Sequence, residues 1–289
     1  MIDLLRKRLQ THAAGNAVQE EQALKEMLQE LALYALWRGG FFEIAAFQGG
    51  TSLRILHGLP RFSEDLDFIL LKPDPTFQWS HYFESLTSVL EQFGVRCELT
   101  DRSRMDRTVR QAMLKDDSIG RQLDLSFFDV DNAGKLRVKL EIDTNPPAGT
   151  GTSWHYLDFP MDFEVCAQDL PSNYSLKLHA LLCRPYLKGR DWFDFVWYSR
   201  QQTRPNLQHL SNALNQAGPW KDQLVRVDVP WLADALSAKI NSINWPLAAQ
   251  DVAPFLPPAE QASLALWSER FFNDKVTRLV QAASAATGP

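Results

Sequence analysis

Two aspartates set one residue apart, Asp65 and Asp67 in the string SEDLDF, are the side chains best placed by type and spacing to do chemistry. On an extended strand, positions i and i+2 share a face with their Cα atoms about 6–7 Å apart, close enough for carboxylates to clamp hard cations. About fourteen residues upstream stands a glycine pair, Gly49-Gly50, followed by Thr51 and Ser52. Glycine lets the backbone approach a phosphate chain closely, and a helix starting at Thr51 or Ser52 would aim amides and hydroxyls at the same anion. A phosphate seat beside a cation clamp is what phosphoryl and nucleotidyl transfer require, because charge grows on the transferring phosphate while metals activate the incoming oxygen and stabilise the departing one.

A third carboxylate on a neighbouring strand would complete the metal site. KLEID offers Glu141, with Asp143 as the alternative. Ser63, two residues before Asp65, either bonds a phosphate, braces the carboxylate or caps the loop. A Gly pair alone is usually a turn, and Asp-x-Asp alone is usually surface charge. The ordered set of Gly pair, short helix, loop and Asp-x-Asp strand is the feature that points to a metal-dependent nucleotidyltransferase.

Those residues need a scaffold. Leu24, Met27, Leu28, Leu31, Tyr34 and Ala35 recur near the helical period, so the first forty residues read as helix, stopped by Gly39-Gly40. The apolar string at residues 41–47 fits a buried strand or part of a helix equally well. Thr51 to Leu56 reads as a short helix, Asp65 to Leu70 as a strand, Phe77 to Phe93 as a helix ended by Gly94, and Val95 to Leu99 as the next strand. Gln122 to Val130 and Leu136 to Ile142 read as two further strands joined by a hairpin loop over Asp131 to Gly134. Lys139, Glu141 and Asp143 alternate with Leu140 and Ile142, which predicts a sheet with one polar and one apolar face.

The Pro- and Gly-rich stretch from Pro146 to Gly151 breaks regular structure and marks the edge of a first lobe. From about Asp169 the pattern is helical, with a break near Pro185 and Gly189 and an Ala-rich tail expected to fray. The expected architecture is α+β: a mixed sheet with flanking helices over residues 1–165, then a helical lobe over residues 166–289.

Composition narrows the class further. An apolar fraction of 45% with 22% charged residues is that of a globular chain, and no apolar run approaches the length of a membrane span. Three widely spaced cysteines and no recognisable secretion signal fit a reduced, cytoplasmic setting. The six histidines do not join the cysteines at zinc-ligand spacing. A net charge of −5 excludes a surface that coats nucleic acid throughout, but leaves room for a local basic patch. The segment Arg102 to Arg121, where basic residues outnumber acidic ones, is either such a patch or a solvated helix or loop of mixed charge.

GGTSLR followed by RFSEDLDF resembles the first motif of the AbiEii/AbiGii-type nucleotidyltransferases, bacterial toxin proteins within the polymerase-beta-like superfamily. Lys177 in SLKLHALLCR and the string KGRDWFDF resemble later motifs of that family, which supply a lysine and an aspartate. Thr51 after the Gly pair departs from the Gly-Ser of the wider superfamily and is normal for the toxin group. The resemblance implies transfer of a nucleotide from an NTP, with magnesium (manganese being the alternative), to an RNA acceptor such as tRNA, and a separate antitoxin that neutralises the enzyme. It implies that Lys177 neutralises NTP phosphates, and that Asp191 or Asp194 positions the acceptor hydroxyl or orients Lys177.

Asp191 also reads as a helix N-cap, and both aspartates as residues that stabilise the positive end of their helix. Arg61 and Lys188 are candidates to bind phosphate or RNA, while Arg190 reads equally well as an ion-pair partner. Trp192, Phe193, Phe195, Trp197 and Tyr198 read as core. Two other readings remain open on sequence: the same chemistry on a small-molecule hydroxyl, and a nucleotide- or partner-binding scaffold without turnover.

Overall fold

The structure, a computed structural model, describes residues 1–123, 125–127, 129 and 135–284. The chain divides into two compact units. The first comprises residues 1–52, 63–146 and 153–167, and the second residues 53–62, 147–152 and 168–289. Among the described residues, no helix is long and apolar enough to cross a membrane.

The first unit is built on a seven-stranded mixed sheet: β1 (Ala45–Gln48), β2 (Asp65–Leu70), β3 (Cys97–Asp101), β4 (Val109–Asp116), β5 (Leu136–Asp143), β6 (Thr152–Leu157) and β7 (Phe163–Gln168), in the order β3-β4-β5-β2-β1-β7-β6. The central pair, β2 and β5, runs parallel, with Asp65 opposite Lys139, Asp67 opposite Glu141 and Ile69 opposite Asp143. Directly opposed residues point to one face, so Asp65, Asp67, Lys139, Glu141 and Asp143 share a half-exposed polar ledge. Leu66, Phe68, Leu140 and Ile142 fill the opposite face and are at most 1% exposed.

The first unit also holds the helices α1 (Ile2–Thr11), α2 (Ala17–Arg38), α4 (Ser80–Gln92) and the short α5 (Ile119–Gln122), together with the first turn of α3 (Gly49–His57). The N-terminal helical stretch is broken. Ala13 takes a left-handed φ of 46°, and Asn16 caps α2 by accepting the amide of Gln19. Residues 41–47 turn out to be both alternatives in succession, a 3-10 turn at Phe41–Glu43 and then β1. The helix expected from Phe77 starts at Ser80 instead, because Phe77 and Trp79 are drawn into an aromatic cluster with Phe41. The next strand lies two residues later than its apolar pattern suggested, at Cys97–Asp101.

Between Gln122 and Val130 no described residue is in a strand, and Gln122 closes α5. The other residues of that expected strand (124, 128 and 130) and its hairpin loop at 131–134 lie outside the described residues. The missing partner of β5 is β4, which pairs with it antiparallel from Val109 opposite Asp143 to Asp116 opposite Leu136. β4 is hard to read in sequence because two of its four inward positions carry charge. Arg110 is 2% exposed and Asp116 is 1% exposed; the terminal nitrogens of Arg110 donate to backbone carbonyls, and Asp116 accepts from the amides of Ser118 and Ile119 and from the Ser118 hydroxyl. β6 and β7 had no counterpart in the sequence reading.

The second unit is helical: α6 (Leu170–Cys183), α7 (Gly189–Arg200), α8 (Leu207–Gln216), α9 (Val229–Ile240), α10 (Trp245–Val252), the single turn α11 (Pro258–Gln261) and α12 (Glu269–Ser284). Asp169 caps α6 by accepting the amide of Ser172. The aromatic residues of α7 are core, as expected: Trp192 meets Trp245 and Phe272, with Trp245 stacked on Phe272 at 3.9 Å between ring centres. Gly189 permits α7 to touch α10, since a Cβ there would stand 2.0 Å from the carbonyl oxygen of Ala248. The Ala-rich tail after Ser284 lies outside the described residues.

Candidate active site

In the first unit the glycine turn meets the polar ledge at Gly49 and Thr51. Gly49 opens α3 with φ 77°, a left-handed conformation, and a Cβ there would lie 2.6 Å from Asp67 Oδ2. Both facts require glycine at this position. The Thr51 hydroxyl donates to the carbonyl of Asp65, tying the first turn of α3 to the start of β2. Ser52 donates back to the carbonyl of Gly49 at 2.9 Å. The two hydroxyls expected to face a phosphate are therefore committed to holding the turn. Ser63 is buried, with its carbonyl accepting from Gln29 at 3.0 Å.

Lys139 was not singled out by sequence as a site residue, yet it is central to the ledge. Its ammonium lies 3.3 Å from Asp65 Oδ2 and 3.1 Å from Glu141 Oε2. Gln111 on β4 donates to the other oxygen of Glu141. Burial holds the Asp65 carboxyl above its ordinary range, and the pull of Lys139 only partly offsets this. Burial works against the Lys139 charge too, but Asp65 and Glu141 outweigh it and raise the ammonium. Burial also raises Asp143, which stands opposite Ile69, one step along the face from the Asp67–Glu141 pair. Glu141 is thus better placed than Asp143 to act with Asp67.

Among the described residues no three histidine, cysteine or acidic side chains are arranged as a ready metal cage. The donor chemistry nonetheless fits a hard cation, because Asp65, Asp67 and Glu141 offer only carboxylate oxygens from one face. A cation, the Lys139 ammonium, already stands between two of them.

In the second unit the remaining candidates form a buried ion network. Lys177 on α6 lies 2.9 Å from Asp191 Oδ1 and 2.9 Å from Asp194 Oδ2. Arg61 forks onto Asp194 through Nε at 2.5 Å and Nη2 at 2.7 Å, and its third nitrogen donates to the carbonyl of Phe62. Arg184 reaches Asp191 Oδ2 at 3.4 Å. Asp191 is not an N-cap: α7 begins two residues earlier at Gly189, whose amide donates to Asp251 at 2.7 Å. Burial opposes ionisation of Asp191, but Lys177, Arg184 and Lys188 more than offset it and hold the carboxyl at about 2. Burial likewise opposes the Lys177 charge, and the two aspartates reverse that and raise it. Lys188 is lowered by burial, with Lys177, Arg190 and Arg184 adding to the effect. Arg190 lies over the ring of Phe255 at 4.1 Å.

Residues 31–273 match the family model described as "Nucleotidyl transferase AbiEii toxin, Type IV TA system". A comparison with curated proteins gives no match. Among solved structures the chain is similar to MenT4, a nucleotidyltransferase toxin from Mycobacterium tuberculosis H37Rv, with 19% identity and a TM-score of 0.52 over 95% of this chain and 98% of that one. JHP933 from Helicobacter pylori matches with 17% identity and a TM-score of 0.49 over 92% of this chain and 91% of that one. The likeness to MenT4 is one of fold. With most of its length matched by the family model, and with Gly49 closing on a strand that carries Asp65 and Asp67, the chain belongs to the AbiEii nucleotidyltransferase toxin family.

Proposed function

We propose that this nucleotidyltransferase transfers a nucleotide from an NTP to an RNA acceptor, tRNA by preference, acting in the cytoplasm as the toxin partner of a cognate antitoxin. The observation that carries the reading is the register of β2 on β5, which sets Asp67 opposite Glu141 and Asp65 opposite Lys139 beside the Gly49 turn. Asp65, Asp67 and Glu141 would hold the divalent cation, magnesium before manganese. When bound, it would neutralise charge on the transferring phosphate and make the acceptor oxygen a better nucleophile.

The chain's own residues supply the rest. The amides at Gly50 and Thr51 cradle phosphate oxygens, and Thr51 and Ser52 keep that turn in shape. Lys139 keeps Asp65 and Glu141 from repelling each other, and its ammonium would be available to phosphate oxygens were those carboxylates to hold a cation. Lys177 provides positive charge for the NTP phosphates, with Asp191 and Asp194 fixing its position and Arg61 fixing Asp194. An antitoxin partner is in keeping with a family described as the toxin of a type IV system, and the tRNA acceptor is what the resemblance of GGTSLR and RFSEDLDF implies.

The test incubates wild-type and Asp65→Asn/Asp67→Asn protein with magnesium, total RNA and each labelled NTP, and resolves the RNA on a gel. Label entering tRNA with wild type alone supports the reading. No label in any lane, from folded protein free of antitoxin, overturns it in favour of a small-molecule acceptor or a scaffold.

A further inference from the structure

The β3–β4 loop carries a charge pattern that the catalytic ledge does not use. Its sequence, Arg102-Ser103-Arg104-Met105-Asp106-Arg107-Thr108, places three exposed arginines within six residues, and Met105 between them is 65% exposed. Arg104 has only a loose contact with Asp106 at 3.8 Å, exposed on both sides. Arg102 and Arg107 have no acidic partner among the described residues.

This loop is held in shape from below. Arg110 is 2% exposed, and its Nη1 donates to the carbonyls of Arg104 and Arg107 while Nη2 donates to that of Pro75 at 3.0 Å. Its own carbonyl accepts from the indole of Trp79 at 3.2 Å. The amide of Arg107 closes a turn onto the carbonyl of Arg104 at 3.0 Å, and Asp101 accepts the amide of Ser103 at 2.8 Å. A buried arginine spent on loop carbonyls fixes the backbone from which the other arginines project, so less freedom is lost when they bind.

The loop also has a defined place beside the ledge. The amide of Arg102 donates to the carbonyl of Gln111 at 2.7 Å, carrying the β3–β4 ladder one residue past Asp101. Gln111 lies opposite Glu141, to which its side chain donates, and Glu141 lies opposite Asp67. Asp67, Glu141, Gln111 and Arg102 therefore form one row across four chain segments. At about 4.8 Å per strand that row is roughly 14 Å long.

We propose that Arg102, Arg104 and Arg107 form a docking tongue for the phosphate backbone of the acceptor RNA, gripping it a few nucleotides from the end presented to Asp65 and Asp67. This rests on the RNA-acceptor reading. Guanidinium groups pair with phosphate in a fork, and three on an exposed loop suit a polyanion running past better than a small anion that needs a pocket. In a chain of net charge −5 the positive charge has to be local to act on RNA at all.

The test measures binding of fluorescently labelled total tRNA over 50 to 200 mM salt, as conditions spanning roughly the range where counterion release dominates, alongside RNA-labelling kinetics. The proteins are wild type, R102Q/R104Q/R107Q and R102K/R104K/R107K, all retaining Arg110. The Gln triple is expected to raise the KM for RNA about tenfold and to flatten the salt slope by about 2, from three lost phosphate contacts. Its NTP KM and its kcat at saturating RNA stay unchanged, and the Lys triple recovers the salt slope. Wild-type labelling of RNA with unchanged KM and slope in the Gln triple overturns the docking role alone, as does a Lys triple that recovers nothing. Wild type that neither binds nor labels RNA overturns the RNA-acceptor reading, and the docking role with it.

Discussion

Replacing Asp191 by Asn removes one carboxylate from the buried network of the second unit while leaving its shape almost unchanged. Asp191 is 3% exposed, and its carboxyl titrates at about 2 against an ordinary value of 3.8. At about 1.4 kcal/mol per unit, the folded state favours the ionised group by roughly 2 kcal/mol. The sign follows from the depression: this stability is fully present above the unfolded value, near pH 4, and is lost as the pH falls toward 2. The substitution also leaves Lys177 with Asp194 alone and takes from Arg184 its buried partner. Breaking such a pair commonly costs about 3–5 kcal/mol. We expect a loss of about 3 kcal/mol at neutral pH, which corresponds to roughly 100-fold faster amide exchange in peptides of α6 and α7. Exchange is the better assay here, because two units need not unfold together. The gap between wild type and variant should shrink between pH 4 and pH 2.5. A loss below about 0.5 kcal/mol, or a gap that does not change over that interval, would refute the electrostatic account.

Other substitutions report on other parts of the molecule. Gly49→Ala should cost only about 1–2 kcal/mol of stability yet abolish RNA labelling, since the new Cβ would stand 2.6 Å from Asp67 Oδ2; a variant with more than half of wild-type turnover would contradict the close approach. Lys139→Met removes a resident cation from two half-exposed carboxylates, so the Kd for Mn2+ by calorimetry should fall about tenfold, on the scale of about 1 kcal/mol for such pairs. An unchanged or weaker Kd would mean that the ammonium does not compete for that place. Trp245→Ala should cost about 3–5 kcal/mol in exchange measurements on α10 and α12, because Trp245 is 5% exposed and stacked on Phe272. A loss under about 1 kcal/mol would show that the stack is not a core element.

The ledge was legible because chemistry and burial follow the same period. Asp65 and Asp67 alternate with Leu66 and Phe68, and Lys139, Glu141 and Asp143 alternate with Leu140 and Ile142, so two short strings expose both the strands and their polar face. Lys139 was visible in that alternation, but its function depends on standing opposite Asp65, and pairing between strands some seventy residues apart leaves no local mark. β4 was lost for a different reason. Its inward positions include Arg110 and Asp116, whose partners include backbone carbonyls and amides, so its hydrophobic alternation is half erased. Gln111 disappeared with it. The Arg61–Asp194 fork was unreadable as well, because it joins residues 133 positions apart and Arg61 lies in a loop with no periodic context. Asp191 looked like a cap because it follows glycine at a helix start, and only the bond from the Gly189 amide to Asp251 shows that another residue has that task.

The alternation on β2 and β5 has a genetic consequence. Since successive side chains face opposite ways, a single-codon insertion or deletion inside either strand would turn the carboxylates into the core and the phenylalanine and leucines into water. Such a lesion removes the folded protein along with its activity. A point substitution at Asp65 or Asp67 touches only the half-exposed face and leaves the apolar one intact. Cells selected to survive expression of this chain should therefore fall into two groups told apart by a simple blot: in-frame indels in these strands with little soluble protein, and missense changes on the ledge with abundant but inert protein.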